Sequence, residues 1–445
     1  MKLRGSKFHF IGVGGIGMSG LAEVLHSMGA HVTGSDLTEN AQTERLLELG
    51  VQIFKGHAAH QLGPADVVVY SGAVKPNNPE YHEARVRKIP LIPRAEALAE
   101  VMRLKRGVAV AGTHGKTTTT SLLASMFLAE GLDPTIVVGG RLDTIRSTAL
   151  LGHGEWILVE ADESDGSFAK LSPEVVIVTN IDSDHMDYYK TFDRLKIAFL
   201  EFALRIPFYG LAIVCGDDPI VKEVFTGFPK RVVSYGFGQD NDFILRRGSA
   251  GYRVRQGGQD LGEITPPLPG VHNALNALAT VIVGLEAGLT FQQCNHGLQQ
   301  FKGVDRRFQL KGEWNEVLVY DDYGHHPTEV RAVLSAFREK FSDRRLVVAF
   351  QPHRYSRTQH CWQDFLSCFS EADKLYILDI YPAGEEAVPG VSSETLAAEI
   401  EGAVYVGPVH GAASVIKNEL QPGDVFVTLG AGNGWRIGEE ILGFK

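Results

Sequence analysis

The chain of 445 residues carries 43 Lys and Arg against 53 Asp and Glu, a net charge of −10 that argues against a nucleic-acid partner. Its length exceeds one hydrophobic core and predicts two to three domains of about 150 residues each. With 44% hydrophobic and 22% charged residues the composition is that of a globular protein, without an apolar run of membrane-spanning length or a signal-type start at Met1-Lys2-Leu3-Arg4, so a cytoplasmic protein independent of membranes is expected.

Two strand–glycine–helix openings divide the first half of the chain. In the first, an apolar strand over 8–11 runs into Gly12, Gly14 and Gly17, a helix follows to Met28, and a second strand ends at Asp36, the Rossmann arrangement of three glycines and a distal acid. A further strand is expected over 67–70, and the segment with Pro90, Pro93 and residues 101–105 reads as the exit from this domain. The second opening is Val108-Ala109-Val110-Ala111-Gly112-Thr113-His114-Gly115-Lys116-Thr117-Thr118. Here a buried strand feeds a glycine turn whose N–H groups can cradle phosphates, with Lys116 as a point charge and the Thr117 hydroxyl as a Mg²⁺ ligand. Val110 stands where the usual P-loop has its first glycine, and the competing reading is a chance glycine–lysine surface turn. The helix expected over 118–131 carries Leu122, Leu123, Met126 and Phe127 at helical spacing.

Further along, strands are expected over 156–160, 175–180 and 211–215, then an antiparallel flap over 235–267. The pattern changes near 301–310, after which 317–320, 346–350, 374–378 and 425–429 read as four strands of a third α/β unit. Cys215, Cys294, Cys361 and Cys368 lack metal spacing and are read as free thiols.

The chemistry sits after the strands. Glu160-Ala161-Asp162-Glu163-Ser164-Asp165 and Asp182-Ser183-Asp184-His185-Met186-Asp187 follow successive central strands, where carboxyl-end loops converge in a doubly wound sheet. Carboxylates there suit Mg²⁺, and His185 is either a second metal ligand or a packed histidine. Asn273, in Gly270-Val271-His272-Asn273, is a helix cap or a ligand-binding group. The third unit offers Asp322-Tyr323-Gly324-His325-His326 and His353-Arg354-Tyr355-Ser356-Arg357, whose arginines either clamp a carboxylate or form surface ion pairs.

Taken together, GVGGIGMSGLAEVL (12–25), GTHGKTTTT (112–120), EADESDGSF (160–168), NIDSDHMD (180–187), GVHNALNALA (270–279), DDYGHHPTEV (321–330), FQPHRYSRT (350–358) and YPAGEEAVPGV (381–391) closely resemble the Mur ligases over essentially the whole chain. The resemblance accounts for Val110, because the family's own signature is G-T-x-G-K-[ST]. It implies an α/β protein of three domains: a Rossmann-like domain for a uridine nucleotide sugar (1–106), a central P-loop ATPase-type domain with a parallel or mixed sheet (107–312), and a C-terminal Rossmann-like domain for an amino acid (313–445). The implied reaction uses ATP and Mg²⁺ to join L-alanine to the lactyl carboxylate of UDP-N-acetylmuramate in peptidoglycan precursor synthesis, by a monomer or homodimer. A related ligase attaching a preformed murein peptide to the same sugar is the alternative. An NAD-dependent dehydrogenase, suggested by the first glycine turn alone, leaves the P-loop unused.

Carried over by position, the resemblance assigns Gly112, Thr113, His114, Gly115, Lys116, Thr117 and Thr118, with His272 and Asn273, to ATP. Thr117, Glu160 and His185 would hold metal. Gly14, Gly15, Ile16, Gly17, Asp36 and Ser71 would face the nucleotide sugar. Tyr323, His325, Arg354 and Arg357 would face the amino acid, and Lys116, Glu160, His185 and His325 would be catalytic. Asn433 stands where relatives can show aspartate, and no carbamylated lysine is assigned, Lys196 included.

Overall fold

A computed structural model describes residues 3–145 and 147–444, leaving Met1, Lys2, Arg146 and Lys445 outside the described residues. The chain forms two compact units, one holding the chain up to Thr265 with Leu275–Lys302, the other holding Pro266–Ala274 with the chain from Gly303 onward. Three sheets carry the α/β architecture, two in the first unit and one in the second.

The first sheet comprises β1 (Lys7–Ile11), β2 (His31–Asp36), β3 (Gln52–Lys55), β4 (Val67–Tyr70) and β5 (Leu91–Pro93) in the order β3-β2-β1-β4-β5. All its pairs are parallel. The strand order reverses at β1, so the turn after Ile11 opens at the switch point where such sheets bind ligands. The segment read as a domain exit contains the helix Arg94–Met102, which packs Ala97, Leu98, Val101 and Met102 into the core.

The central sheet contains β6 (Arg106–Ala111), β7 (Thr135–Leu142), β8 (Ser147–Leu150), β9 (Trp156–Glu160), β10 (Val175–Val178), β11 (Leu211–Cys215), β12 (Val232–Gly236), β13 (Phe243–Arg247), β14 (Tyr252–Gln256) and β15 (Gln259–Ile264). Their order is β15-β14-β13-β12-β11-β10-β6-β9-β7-β8. Val108, Ala109, Val110 and Ala111 are fully buried, as a continuous apolar run in a parallel sheet covered on both faces must be. Parallel neighbours β9 and β10 flank β6, so both acidic segments end beside its glycine turn. The expected flap is antiparallel but extends the same sheet, because Tyr235 and Gly236 of β12 pair in parallel with Phe243 and Ile244 of β13. Phe243, Leu245, Tyr252 and Val254 alternate inward on one face.

The third sheet has β16 (Gln309–Trp314), β17 (Val317–Asp322), β18 (Leu346–Phe350), β19 (Lys374–Leu378), β20 (Ala403–Gly407) and β21 (Val425–Leu429), ordered β16-β17-β21-β18-β19-β20. It includes the four expected strands and adds an antiparallel edge, β16, and a parallel edge, β20. Both edges are only partly buried and lack the continuous apolar run that marks a central strand.

A buried polar network fixes the end of β2. The fully buried Glu80 accepts from Ser35 Oγ at 2.5 Å, lies 3.3 Å from His9 Nε2, and takes the Ala58 N–H at 3.2 Å. The Ser35 carbonyl in turn accepts from Gly12 and Val13 N–H, which ties the network to the first glycine turn. Burial alone pushes the Glu80 carboxyl upward, but the His9 and Ser35 hydrogen bonds, the His9 charge and the Ala58 N–H together hold it below its ordinary 4.5. Glu80→Ala should therefore cost about 3 kcal/mol at neutral pH, since His9 and Ser35 lose their shared acceptor. A depressed carboxylate stabilises the fold above its unfolded value and loses that contribution as pH falls through the folded one. Urea unfolding should thus show the wild-type advantage constant from pH 7 to about 4.5 and shrinking only below it.

Candidate active site

Tight contacts impose the geometry of the second glycine turn. Gly112 has φ +134°, and a Cβ there would stand 2.0 Å from Thr179 Oγ1, so a side chain is excluded. Gly115, at φ +84°, caps the helix Lys116–Ala129. The turn between them is braced from the end of β10: Thr179 Oγ1 donates to the His114 carbonyl at 2.6 Å, and Asn180 Oδ1 accepts the His114 N–H at 2.8 Å. His114 Nε2 lies 3.0 Å from Asp182 Oδ2, and the Asp182 N–H donates to Thr113 Oγ1 at 2.9 Å.

Lys116 points back over this turn. Its ammonium donates to the Gly112 and Thr113 carbonyls at 2.7 and 3.0 Å and stands 2.8 Å from both carboxylate oxygens of the fully buried Glu163. Burial disfavours the charge, but Glu163 and Asp162 more than offset this and hold the Lys116 pKa above its ordinary value. His185, in the left-handed region at φ +58°, brings Nε2 within 3.5 Å of Glu163 Oε1. Thr117 Oγ1 donates to Glu160 Oε1 at 2.8 Å, while Gly139 N–H donates to Glu160 Oε2 at 2.7 Å. Thr118 is buried within the helix. The oxygen pair from Thr117 and Glu160 fits a hard divalent cation, and the Glu163–His185 pair supplies a second donor set beside it.

The first glycine turn is fastened by Asp36, the acid expected to face the nucleotide sugar. Asp36 Oδ2 accepts the Gly14 N–H at 2.8 Å and Oδ1 the Thr38 N–H at 3.1 Å. Ser71 lies beneath the turn, 3.2 Å from where a Gly12 Cβ would be. Gly15, Ile16 and Gly17, at the start of the helix Ile16–Ser27, line a cavity of about 320 Å³ whose other walls include Arg94, Gly139, Glu160 and Asp162. One space therefore connects the first glycine turn with the carboxylate bound to Thr117.

Within the second unit, burial and then the nearby Arg307 lower the His272 pKa to about 4, so its ring is neutral at physiological pH. Asn273 Nδ2 donates to the Pro269 carbonyl at 2.7 Å, a local bond to the loop before its helix. The buried Asp322 accepts Phe308 and Gly324 N–H at 2.7 and 2.8 Å, yet burial raises its pKa to about 6. The rings of Tyr323 and His325 meet edge to face at 5.4 Å, and His325 and His353 lie 5.7 Å apart. Buried Arg357 places Nη1 3.2 Å from His353 Nδ1. Arg354, at φ +69°, caps the short helix Tyr355–His360 and lies 3.7 Å from Glu385. Asn433 accepts from Gln351 Nε2 at 2.9 Å, a neutral structural bond. Lys196 pairs with Glu223 and Asp193 at 3.0 and 3.4 Å.

Sequence reading did not single out Glu163, Asn180, Gly139, Arg94 or His353 as site groups. Glu163 and Arg94 lie in recognisable segments, but their partners and surroundings come from elements far away in the chain.

Three family descriptions match in succession: "Mur ligase family, catalytic domain" over residues 7–106, "Mur ligase middle domain" over 110–284, and "Mur ligase, glutamate ligase domain" over 306–432. The chain belongs to the Mur ligase family. This Mur ligase is 60% identical to the UDP-N-acetylmuramate–L-alanine ligase of Bdellovibrio bacteriovorus, with 99% of each chain covered. Among solved structures it is similar to the UDP-N-acetylmuramate–alanine ligase of Thermotoga maritima, at 28% identity and a TM-score of 0.83 over 98% of each chain. A murein peptide ligase of Psychrobacter arcticus shares the fold at 24% identity and a TM-score of 0.74, covering 99% of this chain and 98% of that one. An ATP-dependent ligase of this family leaves no place for the dehydrogenase reading.

Any anion that recruits Lys116 must compete with Glu163. Glu163→Gln, which keeps the shape and removes the charge, should tighten ATP binding by about threefold to tenfold in calorimetry without metal. A weaker ATP complex would show instead that Glu163 serves the nucleotide.

Proposed function

We propose that this Mur ligase joins L-alanine to the lactyl carboxylate of UDP-N-acetylmuramate, with ATP cleaved to ADP and phosphate, as a cytoplasmic step of peptidoglycan precursor synthesis. The observation that carries this reading is the convergence of Lys116, Thr117, Glu160 and His185 at the ends of β6, β9 and β10, beside the cavity lined by Gly15–Gly17. The full-length likeness to the Bdellovibrio alanine ligase supports alanine over a preformed peptide as acceptor.

Amide formation from a carboxylate and an amine is uphill in water, so the carboxylate needs a leaving group. The Gly112–Gly115 turn and the dipole of the helix Lys116–Ala129 would hold the triphosphate, with Lys116 released from Glu163 to the phosphoryl oxygens. His272 and Asn273 would serve the adenine side. Mg²⁺, held by Thr117 and Glu160 and at a second site by His185, would neutralise phosphoryl charge. In-line attack of the lactyl carboxylate on the γ-phosphorus forms an acyl phosphate and releases ADP. The neutral amine of alanine then attacks the acyl carbon, and the tetrahedral intermediate collapses to amide and phosphate. Arg354 and Arg357 would fix the alanine carboxylate, with Tyr323 and His325 beside the amine.

Steady-state kinetics separate these roles. Arg354→Lys keeps the charge but loses the fork, so the KM for alanine should rise about tenfold while the KM for ATP stays within about twofold. Lys116→Ala should reduce kcat by about a thousandfold and leave UDP-N-acetylmuramate binding intact. An unchanged alanine KM in the arginine variant would remove Arg354 from the acceptor site.

A further inference from the structure

The cavity beside Glu160 has one wall that the mechanism above leaves unused. Arg94 begins the helix Arg94–Met102, and its side chain lies across the first turn of the helix Ile16–Ser27. A Cβ built on Gly17 would stand 2.8 Å from Arg94 Nη1 and 3.2 Å from Cζ, so glycine is what lets the guanidinium approach. Among the described residues this half-buried cation makes no hydrogen bond and no ion pair; it acts on Asp162 across the cavity through longer-range attraction.

A guanidinium carries five N–H donors and no acceptor, and partial removal from water without a partner is unfavourable. The surrounding potential makes this worse for a cation and better for an anion. The first-turn N–H groups of the helix Ile16–Ser27 have no acceptor within their own helix, and the dipole adds positive potential at the same place. The acids of the facing wall are already engaged, Glu160 by Thr117 Oγ1 and Gly139 N–H, and Asp162 by the Ser164 N–H at 3.0 Å. An anionic oxygen that entered the cavity and reached Arg94 would also lie near Glu160.

We propose that Arg94 is a substrate-binding residue that takes an anionic oxygen of the nucleotide sugar, from its diphosphate or its lactyl carboxylate, and so sets the phosphoryl acceptor in the space beside Glu160. The assignment rests on the function proposed above. It gives the cavity a polarity: a fixed cation on the side of the first glycine turn, and metal-type carboxylates on the side of the P-loop.

Calorimetry with UDP-N-acetylmuramate, UDP-N-acetylglucosamine and ATP tests it, because the second nucleotide keeps the diphosphate and lacks the lactyl carboxylate. Arg94→Gln should weaken UDP-N-acetylmuramate binding by about tenfold or more, with Arg94→Lys intermediate and ATP affinity within about twofold of wild type. An equal loss for both sugar nucleotides assigns the contact to the diphosphate, and a loss confined to UDP-N-acetylmuramate assigns it to the carboxylate. If the glutamine variant does not fold, the lysine variant carries the test, since it keeps the charge and loses only the fork. Unchanged UDP-N-acetylmuramate affinity, or a parallel loss of ATP affinity and melting temperature, overturns the assignment and leaves Arg94 a distant counter-charge to Asp162. Failure of the wild-type enzyme to bind either sugar nucleotide would remove the functional reading, and this contact with it.

Discussion

The active site depends on one close approach, that of Gly112 to Thr179. A strand buried on both faces, β6, ends between two parallel neighbours, and only a glycine at φ +134° lets the following turn fold against the end of β10. Once the turn is set there, its position fixes the rest: His114 is held by Asn180, Lys116 meets Glu163 from the loop after β9, and Thr117 meets Glu160 at the end of that strand. The phosphate-type turn and the acids that would serve its metal are thus placed by the same sheet register.

The chain is acidic at −10, and at the P-loop the buried Lys116 stays charged because Glu163 and Asp162 lie beside it. Burial strengthens each of these interactions and makes any unpaired member costly. A ligand entering the cluster must exchange partners with it, and the exchange of Glu163 for phosphoryl oxygens at Lys116 is the one the geometry invites.

The sequence made the central strands, the P-loop and both acidic segments legible, because parallel strands buried on both faces appear as unbroken apolar runs and their exits carry the polar residues. It was less informative where that rule weakens. β7 passes through Gly139 and Gly140, β8 has four residues, and β16 and β20 are partly exposed edges, so none shows a clear period. The three strands after β12 have the expected antiparallel pairing, but their attachment to the main sheet depends on the short parallel contact of Tyr235 and Gly236. Pairings across long separations were invisible: Glu163 is 47 residues from Lys116, and the bond from the Gly14 N–H to the Asp36 carboxylate joins residues 22 apart.

The central claim is that the carboxylate of the nucleotide sugar is activated as an acyl phosphate at the Lys116 turn. The most direct measurement uses UDP-N-acetylmuramate carrying heavy oxygen in its lactyl carboxylate, turned over with ATP and L-alanine and followed by mass analysis of the released phosphate. The account predicts one labelled oxygen in each phosphate formed, because the carboxylate oxygen that attacks phosphorus leaves with it. Amide product accompanied by unlabelled phosphate would contradict it.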